Sequence, residues 1–227
     1  MLISLIIFII AVLMSMTGRG GGNFYVPALI AVGLSIHEAA TIAQLILFCT
    51  ALAALAIFHK NKAVDWKLAL MIDPPTDIMA LVGGYYAHMF NGTILKIVFA
   101  FLLVLAGFFM LFPVKERNQN NKKRFGFWQR EFGGNKYTVN LWLAIPITAL
   151  TGFVAGMVGI SGGSFKVPLM VLACGVPMRI AVGTSSAMVA VTALMGFLGH
   201  SAAGDFSLER TVPLVIAALF GGLIGGK

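Results

Sequence analysis

The sequence predicts an all-α polytopic membrane protein built from two inverted repeats, each with a half-helix or re-entrant segment. Three observations carry that prediction: composition, long unbroken apolar runs, and a glycine-rich motif that occurs twice. The 227 residues are 59% hydrophobic and 11% charged, with a mean hydropathy of +0.94. Soluble domains are roughly 45–50% apolar and about 25% charged, so polar surface is too scarce here to cover a water-soluble body. Disorder needs the opposite composition. The 26 glycines show no three-residue period, which excludes a collagen-like chain. A lipid-facing β-barrel would alternate apolar and polar residues, whereas these runs are continuous.

Divided at glycine, proline and charge, the runs cover 2–16, 24–32, 36–58, 66–90, 93–112, 139–158, 165–173, 180–198 and 211–224. The first is apolar enough for a signal sequence, but no basic residue precedes it, so it is read as structure. The runs 24–32 and 165–173 are each about half of the roughly 20 residues a spanning helix needs. Each follows a glycine cluster and carries an early proline, Pro27 or Pro168, where a missing N–H costs least. About eight helices are expected in all.

The repeat is read by writing Gly18-Arg-Gly-Gly-Gly-Asn-Phe-Tyr-Val-Pro27 over Gly159-Ile-Ser-Gly-Gly-Ser-Phe-Lys-Val-Pro168, an offset of 141. Identities fall at Gly18/Gly159, Gly21/Gly162, Gly22/Gly163, Phe24/Phe165, Val26/Val167 and Pro27/Pro168. After a one-residue shift Gly33 meets Gly175 and Ala39 meets Ala181; later Asp65-Trp66 resembles Asp205-Phe206 and Gly83-Gly84 resembles Gly221-Gly222. The expected organisation is a first transmembrane repeat at 1–112, a basic loop at 113–138 and a second repeat at 139–227. The first unit continues from Gly84 through a further helix, while the second ends at Lys227, so a final helix is expected to be missing.

Net charge is +8, and ten of the sixteen basic residues lie in 59–67 and 113–138. Lysine and arginine in short loops mark the cytoplasmic side. The second-repeat counterpart of 59–67, Ser201–Arg210, holds Asp205 and Glu209 against Arg210, which supports inverted topology of the kind secondary transporters use. Orientation explains the basic excess without nucleic acid as a partner. Cys49 and Cys174 give neither a disulfide framework nor metal spacing. No cofactor, metal or catalytic group is expected. The expected partners are a small anionic substrate and the lipid bilayer, with room for a homo-oligomer or a membrane-complex subunit.

Unwound glycine backbone at membrane depth is tolerated only beside protein or a water-filled cavity. Paired half-helix N-termini present free N–H groups and a positive dipole end, which suit an anion. The candidate substrate-binding residues are therefore Gly18, Arg19, Gly20, Gly21, Gly22 and Asn23 in one copy, and Gly159, Ser161, Gly162, Gly163 and Ser164 in the other. Thr184 and Ser185, with Thr41 and Gln44, open the helices that follow and could complete the shell or merely cap and cross-link. Lys166 could meet the anion or snorkel to the interface. Asp73-Pro-Pro-Thr-Asp77 could relay protons or mark an interfacial kink, and the kink is the expectation. Gly159-Ile-Ser161-Gly162 also fits the G-x-S-G pattern of rhomboid-type intramembrane serine proteases, with His200 as base, but Gly20 stands opposite Ser161 in the other copy.

The motif Gly18-Arg-Gly-Gly-Gly22…Pro27…Gly33, repeated as Gly159-Ile-Ser-Gly-Gly163…Pro168…Gly175-Val-Pro…Ala181-Val-Gly-Thr-Ser185, resembles the TauE/SafE family of sulfite and sulfoacetate exporters. The resemblance implies an inner-membrane carrier of about eight helices that moves small sulfur-containing anions past the paired glycine loops. Arg19, Ser161 and the lack of a Thr-Ser pair at 41–44 depart from the family pattern. The function expected is alternating-access transport of small anions such as sulfite, sulfoacetate or thiosulfate. A membrane scaffold that has kept the fold without transport is the alternative.

Overall fold

The computed structural model describes residues 2–16, 21–111, 125–160, 162–202 and 208–226. Its helices are α1 (Leu2–Met16), α2 (Gly22–Ala31), α3 (Ile36–Lys60), α4 (Trp66–Ile72), α5 (Pro74–Tyr86), α6 (Gly92–Leu111), α7 (Leu141–Val158), α8 (Gly163–Pro168), α9 (Met178–Ser201) and α10 (Leu208–Gly225). A short 3₁₀ turn follows α5, and α8 runs on as a π-helical segment, Leu169–Ala173. Among the described residues α3, α7 and α9 are long and apolar enough to cross a membrane. Side chains such as Leu70, Ile97, Phe101, Val104 and Leu150 stand at least 65% exposed. Contiguous apolar surface on that scale marks a lipid-facing body.

Local sequence explains where elements stop. Ser35 caps α3 by accepting the Glu38 N–H at 3.2 Å. Gly159 ends α7 at φ +76°, and a Cβ there would lie 2.5 Å from Ala40 Cα, so conformation and space both demand glycine. The expected run 66–90 divides at Asp73. Pro74 and Pro75 cannot donate to the preceding turn, so α4 ends at Ile72 and α5 begins afresh.

The basic linker departs from an all-helical reading. Its second part forms an antiparallel hairpin, β1 (Phe127–Phe132) and β2 (Asn135–Asn140), with Phe132 opposite Asn135. Gly133 and Gly134 turn it at φ +57° and +76°, as a tight two-residue hairpin turn requires. The hairpin reaches Asn140, so α7 starts directly from it.

Packing comes in matched sets. Helix α1 lies on α10 as α7 lies on α5; α10 lies on α3 as α5 lies on α9; and α3 and α9 pack on each other. The starts of α2 and α8 are 141 residues apart (22 and 163), those of α3 and α9 are 142 apart (36 and 178), and those of α4 and α10 are 142 apart (66 and 208). Glycines let these helices touch backbone to backbone. A Cβ on Gly83 would sit 2.1 Å from the Phe153 carbonyl oxygen, and one on Gly225 would sit 2.0 Å from that of Val12. Gly84 faces Gly196 and Gly199, while Gly226 faces Ala54 and Ile57. In their contacts Gly83-Gly84 resemble Gly225-Gly226 more than Gly221-Gly222. Sequence alone chose the nearer glycine pair because it cannot see which backbone each one meets.

Candidate functional site

The starts of α2 and α8 come together. Gly21 precedes α2 and Gly162 precedes α8. Asn23 and Ser164 are each the second residue of their helix, and Asn23 Nδ2 donates to Ser164 Oγ at 3.0 Å. That bond occupies a lone pair of Ser164 and leaves its hydroxyl hydrogen for another acceptor. From Phe24 and Phe165 onward the backbone N–H groups bond the Gly21 and Gly162 carbonyls, which leaves those of Gly22, Asn23, Gly163 and Ser164 without an intrahelical acceptor. One short space thus gathers two helix N-termini and a hydroxyl donor. The neighbouring candidate Gly22 opens α2, Gly163 opens α8 and Gly162 precedes it. Gly18, Arg19, Gly20 and Ser161 lie outside the described residues, as do Asp205, the Glu209 and Arg210 side chains, and the basic residues 115–124.

Each cluster also makes room for the side chain four residues on. The Tyr25 ring passes 2.4 Å from where a Gly21 Cβ would be, and Lys166 Cε passes 3.1 Å from that of Gly162. Both side chains are fully buried. Tyr25 Oη shares a hydrogen bond with Thr50 Oγ1 at 3.2 Å, and Thr50 donates to the Ile46 carbonyl at 2.8 Å. Lys166 Nζ donates to Thr192 Oγ1 at 2.7 Å, and Thr192 Oγ1 lies 2.8 Å from the Met188 carbonyl oxygen. The second set repeats the first at intervals of 141 and 142 residues, with lysine in place of tyrosine.

Around that lysine the likeness ends. Lys166 Nζ is paired with Asp73 Oδ1 at 2.5 Å, with Lys166 1% and Asp73 4% exposed. Thr192 Oγ1 also lies 2.7 Å from Asp77 Oδ1. Both earlier expectations are corrected. The Asp73–Asp77 break is drawn into the protein, where Asp73 is buried and paired, and Lys166 neither snorkels nor faces an anion unpaired. The double proline aims both carboxylates inward, four residues apart on one face at the start of α5. The spacing was visible in sequence, but the partner on α8 was not.

Other candidates are placed elsewhere. Thr184 Oγ1 accepts the Asp65 N–H at 3.0 Å, which ties the second turn of α9 to the start of α4. Ser185 Oγ is buried with no partner among the described residues. Thr41 donates to the His37 carbonyl at 2.9 Å within α3, and Gln44 Nε2 donates to the Ala155 carbonyl at 3.3 Å. Gly159 is a helix-ending glycine packed on α3. His200 Nε2 lies 2.8 Å from the Gly156 carbonyl, which accepts only and so fixes the hydrogen on that nitrogen. An apolar cavity of about 820 Å³ lies between α6, α7 and the helical segment 163–173, lined by Ile97, Phe101, Leu150 and Leu172 among others. Its one hydroxyl, on Thr151, already donates within α7, so the cavity offers an anion nothing.

A second polar cluster escaped sequence reading. Asp65 caps α4 by accepting the N–H groups of Lys67 and Leu68 at 3.0 and 3.3 Å. Arg130 of β1 binds the same carboxylate through Nε and Nη2 at 2.9 and 3.0 Å, and the Tyr137 hydroxyl of β2 donates to it. Burial pushes the Asp65 carboxyl up, but the Arg130 and Tyr137 hydrogen bonds, the Leu68 N–H and the Arg130 charge together leave it below the usual range. The hairpin is thereby clasped to the α3–α4 turn. Only the Gly133-Gly134 turn signal pointed toward it.

A family model described as Sulfite exporter TauE/SafE matches residues 3–227. The chain belongs to the TauE/SafE family. It is 27% identical over 222 residues to a Bacillus subtilis protein named probable membrane transporter protein YunE, covering 93% of this chain and 81% of that one. It is 21% identical to probable membrane transporter protein YdhB of the same organism, covering 100% and 89%. It is 23% identical to probable membrane transporter protein MJ0441 of Methanocaldococcus jannaschii, covering 85% and 69%. No solved structure matches. This TauE/SafE protein is an integral membrane protein of a transporter family, and its apolar helices and lipid-facing side chains agree with that membership.

Proposed function

We propose that this TauE/SafE protein is a secondary transporter, not an enzyme, that moves small sulfur-containing anions such as sulfite, sulfoacetate or thiosulfate by alternating access. The observation that carries the reading is the Asn23–Ser164 bond, which sets two half-helix N-termini against one another. An oxyanion between them would receive backbone N–H groups and the Ser164 hydroxyl. The matched helix intervals and matched glycine contacts support a chain of two inverted copies, 1–112 and 139–227, joined by the basic linker 113–138. A contact between equivalent positions of two copies lies on the pseudo-two-fold axis, where carriers of this kind bind substrate. The excess of lysine and arginine in 59–67 and 113–138 supports a cytoplasmic place for both loops, in a bacterial inner membrane.

The test is uptake of labelled thiosulfate, sulfite and sulfoacetate into proteoliposomes holding the full chain. Saturable flux of at least one, weakened by Ser164→Ala, is expected. No flux of any would overturn the carrier reading and leave a scaffold.

A further inference from the structure

We infer that Asp77 is a proton-binding site that carries the coupling proton of transport; the coupling, though not the proton site itself, rests on the carrier reading above. Three groups compete around the Thr192 hydroxyl. A hydroxyl has one hydrogen and two lone pairs. Thr192 Oγ1 has three neighbours at bonding distance: Lys166 Nζ at 2.7 Å, the Met188 carbonyl oxygen at 2.8 Å and Asp77 Oδ1 at 2.7 Å. Lysine only donates and a carbonyl only accepts. Thr192 therefore accepts from Lys166 and has one hydrogen to give, and the Met188 carbonyl, which already receives the Thr192 backbone N–H within α9, can do without it. That hydrogen can go to an ionised Asp77; when Asp77 binds a proton it becomes the donor and the hydroxyl hydrogen turns to Met188, so the junction holds either state of the acid.

The equivalent threonine supports this assignment. Thr50 accepts from Tyr25 and donates to the Ile46 carbonyl, and no carboxylate joins it. Offsets of 142 from Asp73 and Asp77 reach Val215 and Leu219, so the other half keeps the same joint without acids. The fold thus builds this junction with neutral groups alone. Buried charges cost solvation, and the charged version exceeds what packing requires.

Charge balance agrees. Lys166 and Asp73 neutralise each other, so an ionised Asp77 would leave one net negative charge in the cluster. Among the described residues no other titratable group faces Asp77: α7 contains none, Arg179 of α9 donates to the Asn61 carbonyl, His200 lies against Gly156, and His88 beyond α5 holds the Tyr85 carbonyl. Lys67 sits in the exposed first turn of α4. Asp73 is sealed, whereas Asp77 keeps part of its surface open, which lets protons come and go. Release moves H⁺ from Asp77 to water and leaves a carboxylate. The single Thr192 hydrogen must then choose between Asp77 and Met188. That choice alters the contact of α5 with α9, two residues along α8 from Ser164.

The test has two arms. In lipid vesicles near neutral pH, infrared difference spectroscopy of the full chain should show a protonated-carboxyl C=O band that disappears in Asp77→Asn. Thr192→Val, which removes the acceptor, should shift that band. Its absence from the wild type, its persistence in Asp77→Asn, or an unmoved band in Thr192→Val would each overturn the proton site. In proteoliposomes loaded with a pH-sensitive dye, labelled thiosulfate should move protons in the wild type. Asp77→Asn, whose amide still donates to Thr192, should keep thiosulfate exchange and lose both proton movement and gradient-driven accumulation. Unchanged proton movement in that variant would overturn coupling through Asp77. Absence of thiosulfate flux in the wild type would instead count against the carrier reading, with the infrared result standing apart.

Discussion

Asn23 and Ser164 stand 141 residues apart in sequence and 3.0 Å apart in space, each the second residue of its half-helix. The separation in sequence equals the interval between the helices themselves. The bond therefore joins the same position of two helices, and a shift of either N-terminus strains or breaks it.

The bond between them is measurable as a coupling. Asn23→Ala and Ser164→Ala should each destabilise the protein by about 1 kcal/mol, and the double variant should cost less than the sum by about 0.5–1.5 kcal/mol. Thermal unfolding in detergent reads this cycle. Strict additivity would mean that the two side chains do not meet.

Removing one partner of the buried ion pair should be worse than removing both. Asp73→Leu leaves the Lys166 ammonium buried with one hydrogen-bonded threonine, which costs about 3–5 kcal/mol. Asp73→Leu combined with Lys166→Met should recover most of that loss. Yield of monodisperse protein and melting temperature are the readouts. A single variant as stable as the wild type would refute the pairing.

The hairpin clasp predicts an acid limit to stability. The Asp65 carboxyl lies below its ordinary value in the folded protein. Its contribution is therefore complete above the unfolded carboxylate range, about pH 4, and is lost as pH falls through the lower folded value. Asp65→Asn should lower stability by about 2–4 kcal/mol near neutral pH and flatten the acid side of the profile. A melting temperature that falls with acid equally in both proteins would place the acid sensitivity elsewhere.

Helix contact through glycine gives a spatial prediction. Gly83→Ala and Gly156→Ala place a methyl 2.1 and 2.3 Å from the carbonyl oxygens of Phe153 and Ala80. Each should cost about 1–3 kcal/mol, because α5 and α7 must part. Gly107→Ala meets nothing within 4 Å on α6. That change should be neutral or gain up to about 1 kcal/mol from helix propensity. Equal tolerance at all three positions would contradict the close approach.

Much of the fold was legible in particular residues. Pro27 and Pro168 after glycine clusters pointed to two short helices, but each proline lies sixth from its helix start and not in the first turn, because α2 and α8 begin at Gly22 and Gly163, two residues earlier than the apolar runs. Pro74-Pro75 marked a break, but its depth was not legible, since the same residues serve an interfacial turn or a buried one. Lys166 read as an unpaired cation because its acid lies 93 residues away. The hairpin hid in a run of basic residues, although Gly133-Gly134 between FWQREF and NKYTVN carried the turn signal.

By itself the sequence determined the solvent this chain lives in and the order and interval of its helices. Apolar content and glycine and proline placement act locally, residue by residue. Tertiary structure alone decided which polar groups share a site. Two threonines at equivalent positions, Thr50 and Thr192, make the same backbone bond, and only the second is met by acids from α5. Hydrogen bonding and charge pairing depend on distance in space, which a linear order of residues does not contain.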